Sequence, residues 1–402
     1  AFVESTLAQI WKVRGKEGEF RGGPAYYIEQ ALGKRWVGVL FAILLIICYA
    51  YGFNGLQAFN MASALEYYIP DYATNGAAVA LGIVLVVMTA FVIFGGSKRI
   101  SIITSIVVPV MALAYIGLGL FITFTNLDQL PAVFAYIGES AFDFQSIFGG
   151  FAGSVVVLGI KRGLFSNEAG MGSAPNAAAT ASVSHPVKQG LAQAFSVYID
   201  TLVVCTATGL MILCTGCYNI VDGAGNALVE TLPGIEAGTG YTQAAIDTVF
   251  PGFGSAFISI AVLFFAFTTL LSFGYYAKPN VIFLTGDEKK AKVVCAIIVV
   301  VQVIMTIYGS ANSSALVWNI ADVGVGLIAW FNLLGLLFLV KPVAALLKDF
   351  EKQKKLGLDP VFVPEDCGIK NAELWHEITN EHYSDLIAEK NRVMGTAESK
   401  KD

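Results

Sequence analysis

A stretch of 305 residues, from Trp36 to Val340, is almost free of charge and constrains the fold more than any other feature of the sequence. It contains only 23 of the 55 Asp, Glu, Lys and Arg residues of the 402-residue chain. Charged residues make up 14% of the whole sequence, against about 25% in ordinary globular proteins. Since so few charges cannot cover a soluble domain, this stretch is predicted to face lipid. The pattern excludes a cytosolic enzyme and a secreted disulfide scaffold, and the net charge of −5 argues against a nucleic-acid-binding protein.

Seven apolar runs approach the length of about 20 residues that a helix needs to cross the hydrocarbon core of a bilayer. They are Trp36–Leu56, Ala77–Phe94, Ile102–Phe124, Gln189–Gly216, Ala256–Ala277, Val293–Gly309 and Leu316–Val340. An eighth run, Ile147–Ile160, has 14 residues before Lys161 and Arg162 interrupt it, which is short for a crossing. The runs predict an all-α membrane protein, built as a polytopic helix bundle.

The distribution of basic residues favours eight crossings with both ends of the chain in the cytoplasm. On that count the cytoplasmic segments contain 23 Lys and Arg residues and the outer segments contain none. The outer segments are 66–76, 125–146, 217–255 and 310–315, and they hold nine acidic residues. Cytoplasmic loops of membrane proteins carry an excess of Lys and Arg, so this distribution of basic residues predicts the orientation. It also requires the short run Ile147–Ile160 to be a crossing, since otherwise the later loops would change sides. We expect a multi-pass protein of the plasma membrane with a cytoplasmic C-terminus.

Three regions are expected along the chain. Residues 1–35 are interpreted as the end of a preceding helix and a cytosolic loop with an interfacial helix. Residues 36–340 form the transmembrane transport domain, and residues 341–402 form a cytosolic C-terminal tail. From Pro342 on, the tail combines nine basic with twelve acidic residues, a mixture that favours a solvated appendage over a domain.

Three amide side chains, Asn54, Gln57 and Asn60, recur at a spacing of three in the first apolar run and its continuation. Residues three apart share one face of a helix, so these amides are candidates for hydrogen-bonding a small solute. Polar groups in membrane helices tend to mark pathways, because hydrocarbon offers them no partners. The alternative is hydrogen bonding between helices of the bundle, worth about 0.6 kcal/mol per contact.

The eighth run is rich in glycine and leads into the polar block Ser166-Asn167-Glu168. Discontinuous helices at membrane depth line a cavity or lie inside protein. Transporters use the free backbone groups and half-helix ends of such helices to bind solutes and ions. We expect a helix break between Gly153 and Gly163. A kinked or re-entrant structural element is the alternative.

Two adjacent threonines, Thr268 and Thr269, lie in the middle of the run Ala256–Ala277. Hydroxyl and carbonyl oxygens suit a hard alkali cation such as sodium. Threonine in a helix also bonds back to its own carbonyls, and on spacing alone that interpretation is favoured. Asp200, Asn319 and Asp322 are further polar groups of the spans, and each could pair within the bundle.

Four blocks of the sequence resemble the alanine or glycine:cation symporter family. They are Gly22-Gly23-Pro24-Ala25-Tyr26-Tyr27-Ile28-Glu29, the long block from Gly163-Leu164-Phe165-Ser166-Asn167-Glu168 to Ser173-Ala174-Pro175, the pair His185-Pro186, and Leu316-Val317-Trp318-Asn319-Ile320-Ala321-Asp322. The resemblance covers nearly the whole chain. It implies a five-plus-five inverted-repeat transporter that imports alanine or glycine with sodium. Family members begin with a further segment that carries a first broken helix, so we expect the sequence to be N-terminally truncated and not to transport as written.

The resemblance also implies roles for individual residues. Gln57 would line the substrate site, Phe165 would contact the amino acid, and Thr269 would contribute to the sodium or substrate site. Phe273 stands where the family often has Trp, so the pocket wall is expected to differ. The expected substrate-binding set is Gln57, Phe165, Phe273, Asn54 and Asn167, and the expected sodium ligands are Thr268 and Thr269.

The function expected from these features is that of a secondary active symporter working by alternating access. Sodium is the coupling ion, the partners are a small amino acid and the lipid bilayer, and no further cofactor is expected. A carrier of another small solute on the same scaffold, or a channel, is the alternative. An enzyme is not expected, because all three histidines lie in segments assigned to the cytosol. The sequence leaves the oligomeric state open.

Overall fold

Six helices in the described part of the chain are long and apolar enough to cross a membrane. The computed structural model describes residues 1–16, 18–66, 68–69, 76–93, 96–142, 154–221, 227–235, 237–312 and 314–398. The six helices span Arg35–Ser63, Ser105–Thr125, Pro186–Thr215, Phe253–Thr285, Glu288–Ser310 and Leu316–Lys355. Each overlaps one of the apolar runs, which confirms a polytopic helical membrane protein.

The two other expected crossings are not among these six helices. The run Ala77–Phe94 forms a helix of 17 residues, Ala77–Ile93. The first half of the run Ile147–Ile160 lies outside the described residues, and its remainder belongs to a helix that begins at Ser154. The count of eight crossings and the five-plus-five arrangement therefore stay predictions.

The helices and strands succeed one another in this order. The first half of the chain contains α1 (Phe2–Ile10), β1 (Val13–Arg14), β2 (Phe20–Arg21), α2 (Pro24–Leu32), α3 (Arg35–Ile47), a π-helical segment (Cys48–Phe53), α4 (Asn54–Ser63), α5 (Ala77–Ile93), α6 (Gly96–Thr125), a 3-10 turn (Leu127–Gln129) and α7 (Leu130–Phe142). The second half contains α8 (Ser154–Asn167), α9 (Ala174–Ala178), α10 (Pro186–Tyr198), a second π-helical segment (Ile199–Cys205), α11 (Thr206–Thr215), β3 (Asn219–Val221), β4 (Ala227–Glu230), α12 (Thr239–Asp247), α13 (Phe253–Thr285), α14 (Glu288–Ser310), α15 (Ser314–Lys355), a 3-10 turn (Pro364–Cys367), α16 (Leu374–His382) and α17 (Ser384–Glu398). The strands pair as two small antiparallel hairpins, β1 with β2 and β3 with β4.

Two of the spans change to π-helical geometry in their middle. The segment Cys48–Phe53 joins α3 to α4, and Ile199–Cys205 joins α10 to α11. Such wide turns are rare within helices and occur frequently at functional sites. The sequence singles out a residue at each of them, Asn54 next to the first and Asp200 within the second.

Helix α4 packs closely against α14 because glycine faces glycine where the two helices meet. A Cβ atom on Gly309 would collide with the backbone of Gly55. Small residues at a helix contact let the backbones approach, which is a main source of packing energy between helices in lipid. Asn54 adds hydrogen bonds across the same contact, from its amide nitrogen to Gln302 O at 2.7 Å and to Thr306 Oγ1 at 2.8 Å.

Helix α8 runs without interruption from Ser154 to Asn167. The expected break between Gly153 and Gly163 is therefore wrong for residues 154–163, and Gly153 itself lies outside the described residues. The physical reason is that glycine weakens a helix without ending it when the neighbouring residues favour the helical conformation. The helix ends instead after Asn167, where Glu168 has a φ of 49°. Non-glycine residues adopt this left-handed conformation rarely, and it costs energy that other contacts must offset.

Part of the C-terminal region is buried against α1, which contradicts the expected solvated appendage. Phe362 and Trp375 are fully buried and belong to one apolar cluster with Leu7. The indole Nε1 of Trp375 donates to the carbonyls of Gln9 and Ile10, at 3.0 and 3.1 Å. A few large apolar side chains are enough to dock a segment whose composition is otherwise polar, since burying each contributes about 1.5–3 kcal/mol.

Lys12 is buried beneath this docked segment. Its ammonium lies 4.1 Å from the centre of the Phe20 ring and 4.8 Å from that of Trp375. It donates hydrogen bonds to Gln9 Oε1 at 2.8 Å and to Ala181 O at 3.2 Å. Within the described residues it forms no ion pair with a carboxylate. Burial lowers the pKa of the Lys12 ammonium to about 7.

Candidate functional site

Aromatic side chains from three helical segments meet around Phe53. The ring of Phe165, in the last turn of α8, lies 4.9 Å from that of Phe53, centre to centre. Phe273 of α13 lies 5.9 Å away in an edge-on arrangement, and Tyr49 stacks on Phe53 at 4.8 Å. The structure therefore brings together two of the predicted substrate-site residues, Phe165 and Phe273, through a third ring that sequence reasoning did not single out.

Gln57 of α4 lies one helical turn after Phe53, the last residue of the π-helical segment, so the two side chains point to the same side of this continuous span. Its side chain is half-buried, and no hydrogen bond to it is found within the described part of the chain. A buried or half-buried amide normally finds a partner, because leaving its donors and acceptors unpaired costs free energy. The Gln57 amide is thus available to a solute beside the aromatic cluster.

The two other predicted substrate-binding amides are engaged with neighbouring helices. Asn54 bonds to α14, as described above, which is the interhelical alternative. Asn167 accepts a hydrogen bond from Thr201 Oγ1 at 2.9 Å, on the second π-helical segment. Both residues stand beside the aromatic cluster in the sequence, but their amides hold helices together.

The two predicted sodium ligands make one and the same backbone contact. The hydroxyls of Thr268 and Thr269 both donate to Phe265 O, each at 2.9 Å. Thr268 is buried, and Phe267 and Leu270 on either side of the pair belong to the aromatic cluster's core. The bonds use the hydroxyl hydrogens and leave the oxygen lone pairs free, so the arrangement is compatible with ligation of a cation and also with simple back-bonding.

Two carboxylates, of the buried Glu4 and the half-buried Glu168, organise the chain beyond α8, and sequence reasoning assigned neither of them a role in the site. Glu168 accepts hydrogen bonds from Tyr49 OH at 3.1 Å and from Ser173 Oγ at 2.8 Å. Glu4 accepts from the backbone N–H groups of Gly170 and Gly172, at 2.8 and 3.2 Å. The sequence feature that could have identified them is an acidic residue inside an otherwise apolar or glycine-rich block. These contacts fix the irregular segment 168–173 against α1 and the first π-helical segment.

Arg162 joins α8 to α15 next to the aromatic cluster. Its Nη2 atom donates to both carboxylate oxygens of Asp322, at 3.0 and 3.1 Å, while Lys161 lies 3.4 Å from the same carboxylate. The guanidinium also lies over two rings, 4.0 Å from the centre of Trp318 and 5.2 Å from that of Phe165. The sequence marked these residues separately, and only the fold shows that they form one contact.

A cleft of about 950 Å³ has Trp318 in its lining. Its walls come from the end of α4, the connection between α14 and α15, and the loop and helix 232–248. Asn60, the outermost of the three spaced amides, lies on its surface. The carboxylates of Glu66 and Asp247 also line it, and no Lys or Arg of the described residues does. Such a surface favours cations over anions.

The sequence is similar over most of its length to several bacterial and archaeal carrier proteins. It is 48% identical over 385 residues to the carrier protein YrbD of Bacillus subtilis (strain 168), which covers 95% of this chain and 78% of the relative. It is 45% identical over 378 residues to the sodium/proton-dependent alanine carrier protein of Bacillus sp. (strain PS3), covering 93% of this chain and 83% of the relative. It is 34% identical over 367 residues to the sodium/alanine symporter AgcS of Methanococcus maripaludis, covering 88% and 74% of the two chains.

A family model points the same way. The model of the sodium:alanine symporter family matches residues 1–364, a range that includes every helix named in the site. This agrees with the resemblance seen in the four sequence blocks. The chain therefore belongs to the sodium:alanine symporter family, whose members are transporters rather than enzymes and use sodium as the coupling ion.

Proposed function

We propose that the chain is a secondary active symporter that couples the influx of sodium to the uptake of alanine or glycine by alternating access. Membership of the sodium:alanine symporter family supports sodium and alanine, as do the names of the Bacillus and Methanococcus relatives. Glycine is included because it presents the same ammonium and carboxylate as alanine and needs less space.

The arrangement around Phe53 carries the proposal. An amino acid presents a carboxylate and an ammonium that need hydrogen-bond partners, and a short side chain that needs apolar contact. The Gln57 amide offers both a donor and an acceptor and is unpaired within the described residues. Phe165 and Phe273, both close to Phe53, offer the apolar contact. A small neutral amino acid fits this combination of one amide and several rings better than a charged or a large solute.

The proposed sodium ligands are the hydroxyl oxygens of Thr268 and Thr269. Sodium is a hard cation and takes oxygen ligands. Both oxygens keep free lone pairs, because each hydroxyl uses its hydrogen to bond Phe265 O. The pair lies on α13, one turn from Phe273, so an ion bound there would lie close to the proposed substrate site. This proximity would let ion and amino acid stabilise the same closed state.

Alternating access needs a barrier that opens on one side while the other side stays closed. In the proposed topology the loop 217–255 and the segment 310–315 are outside the cell, so the cleft beside Trp318 would open outward. Trp318 lines that cleft and lies against Phe165, and together with the Arg162–Asp322 contact beside it would form the outer barrier. The C-terminal region packed on α1 would then lie on the cytoplasmic side.

The test is uptake of radiolabelled alanine by proteoliposomes that contain the full-length protein. An inward sodium gradient is expected to drive saturable accumulation, which stops when choline replaces sodium, and unlabelled glycine is expected to compete. Uptake that does not saturate would indicate a channel. Saturable uptake of another solute, with no effect of alanine, would indicate a different carrier on the same scaffold.

A further inference from the structure

Asp200 lies at the centre of a candidate membrane span. The span runs from Pro186 to Thr215, and Asp200 falls midway between its ends. The residue belongs to the π-helical segment Ile199–Cys205, where the regular hydrogen-bond ladder of the helix changes. An ionisable side chain at this depth is costly unless a partner compensates for the lost hydration, and such residues usually mark an ion or substrate pathway.

Within the described residues the Asp200 carboxylate lacks a counter-charge. Its single hydrogen bond comes from Ser166 Oγ, which donates to Oδ2. The two nearby basic residues, Lys161 and Arg162, lie one turn earlier on α8, and both are paired with Asp322. Oδ1 accepts no hydrogen bond in the described part of the chain. The carboxylate is half-buried, so a small cation has access to it.

This carboxylate has one neutral oxygen in direct contact and two more on the residues that follow Ser166 and Asp200 in the chain. Ser166 Oγ touches it directly, and Thr201, the next residue in the chain, donates from Oγ1 to Asn167 Oδ1 at 2.9 Å. The set therefore consists of one carboxylate, two hydroxyls and one amide oxygen. It contains no imidazole, and the thiol of Cys205 touches only Ser166 Oγ, at 3.3 Å. Oxygen-rich sites with one negative charge match a hard monovalent cation and match transition metals poorly.

The end of α8 adds a second, independent attraction for positive charge. Ser166 and Asn167 are the last two residues of that helix. Glu168 N bonds back to Leu164 O, but no backbone N–H of the described residues reaches the carbonyls of residues 165–167. Free carbonyls at a helix C-terminus carry partial negative charge and favour a cation within the last turn. Half-helix ends of this kind bind coupling ions in other transporters.

We propose that the Asp200 carboxylate, with Ser166, Asn167 and Thr201, binds a sodium ion that is coupled to transport. This inference rests on the proposed function, because it names where a coupling ion binds, and it adds a charged site on other helices to the one proposed at Thr268 and Thr269. Sodium would neutralise the carboxylate and join α8 to the second π-helical segment. The ion would thereby strengthen the connection that the Ser166–Asp200 and Thr201–Asn167 hydrogen bonds already make between the two segments.

The experiment measures sodium binding without relying on transport. Thermal unfolding of the purified full-length protein is recorded while sodium chloride replaces choline chloride at constant ionic strength. The sodium concentration for half-maximal stabilisation is expected to rise by about tenfold to a hundredfold in Asp200→Asn, since a charged partner of the ion is lost. Asp128→Asn makes the same chemical change in an exposed turn and is expected to leave the titration unchanged. An unchanged titration in Asp200→Asn overturns the proposal.

Two further arms keep the outcome decisive. If Asp200→Asn does not fold, Ser166→Ala and Thr201→Val each remove one oxygen, and a sodium titration unchanged in both overturns the proposal. If Asp200→Asn shifts only the pH profile of alanine uptake, the residue carries a proton and the sodium proposal is wrong.

Alanine uptake into proteoliposomes separates the two hypotheses. Sodium-driven uptake in the parent protein with an unchanged sodium titration in Asp200→Asn would sink this inference and leave the proposed function standing. If Asp200→Asn loses the sodium-dependent stabilisation but the parent protein takes up no alanine, the proposed function is wrong and the sodium site at Asp200 stands.

Discussion

The guanidinium carbon of Arg162 lies 4.0 Å from the centre of the Trp318 ring, so the cation covers the face of the indole. The same guanidinium donates to both oxygens of Asp322. Arg162 is thus held from two sides by residues one turn apart on α15. A planar guanidinium can stack and donate at once, whereas a lysine ammonium cannot reproduce this geometry.

Removing the Arg162 side chain is expected to open the outer side of the site. In Arg162→Gln the stack and the ion pair are lost, and for partly exposed groups we expect a cost of about 1 kcal/mol, or about fivefold in the population of the open state. The measurement is the rate at which a membrane-impermeant thiol reagent, added from outside, labels Gln57→Cys in the proposed substrate site. Arg14→Gln, which breaks an exposed ion pair with Glu381, is the control and is expected to leave the rate unchanged. Equal rates in both variants would show that Arg162 does not close the site.

Gln57→Ala is expected to weaken alanine binding by about tenfold to a hundredfold, because a hydrogen bond to a charged group of the substrate contributes roughly 1.5–3 kcal/mol. Thermal stability is expected to change little, since the amide bonds to none of the described residues. Equilibrium binding of radiolabelled alanine to the purified variant checks this. Gln129→Ala, in an exposed turn, is the matched control. Unchanged affinity would remove Gln57 from the site.

Phe273→Trp is expected to narrow the range of substrates toward glycine and alanine. Phe273 is fully buried between Tyr49 and Phe53, so a larger ring must push into the neighbouring space, at a cost of about 1–3 kcal/mol. Competition of unlabelled amino acids of increasing size against alanine uptake measures the effect. Phe257→Trp lies on the same helix in a different apolar cluster and serves as the control. A competition profile that ignores side-chain size would place Phe273 away from the substrate.

Thr269→Val keeps the shape of the side chain and removes its oxygen. If the hydroxyl ligates sodium, the sodium concentration for half-maximal uptake rises, while expression stays near that of the parent protein. Thr268→Val tests the neighbouring oxygen in the same way. Sodium dependence unchanged in both variants would mean that the hydroxyls only bond Phe265 O, as the structure shows them doing.

Lys12 is expected to make thermal stability depend on pH. Burial lowers its pKa from 10.5 to about 7, so between these values the unfolded chain binds more protons than the folded one. Stability should therefore rise with pH from about 7 upward, and below 7 the full cost of the buried charge is present. Lys12→Met should flatten the rise in the unfolding midpoint, whereas Lys34→Met, at an exposed lysine, should not. If the unfolding midpoint of Lys12→Met rises with pH as steeply as that of the parent protein, the pH dependence comes from groups other than Lys12.

The spans were predictable because a membrane crossing needs only length and apolar composition, and both are local properties of the sequence. The candidate site was predictable in part. The resemblance pointed to Phe165 and Phe273, and the fold places both against Phe53. Phe53 itself carried no signal, because phenylalanine in an apolar run is indistinguishable from a lipid-facing residue.

Pairings between distant segments could not be predicted. Arg162 and Asp322 meet only because α8 and α15 are neighbours in the fold. The local sequence of neither segment indicates which segment it will contact. The break expected in the glycine-rich run was wrong because the end of a helix depends on tertiary contacts of the residues beyond it. Here Glu168 turns the chain through its contacts with Tyr49 and Ser173. The docking of Trp375 was hidden by the polar composition around it.

The contact between Trp375 and the carbonyls of Gln9 and Ile10 also has a consequence for biogenesis. The partners are 366 and 365 residues apart. At the roughly 5–20 residues per second of translation, the ribosome reaches Trp375 about 20 to 70 seconds after it has made α1. During that interval the carbonyls of Gln9 and Ile10 at the end of α1 lack their hydrogen bonds from the Trp375 indole. A transcript that stops before the Trp375 codon therefore yields a protein that lacks a contact at the C-terminal end of α1, far in the sequence from the truncation.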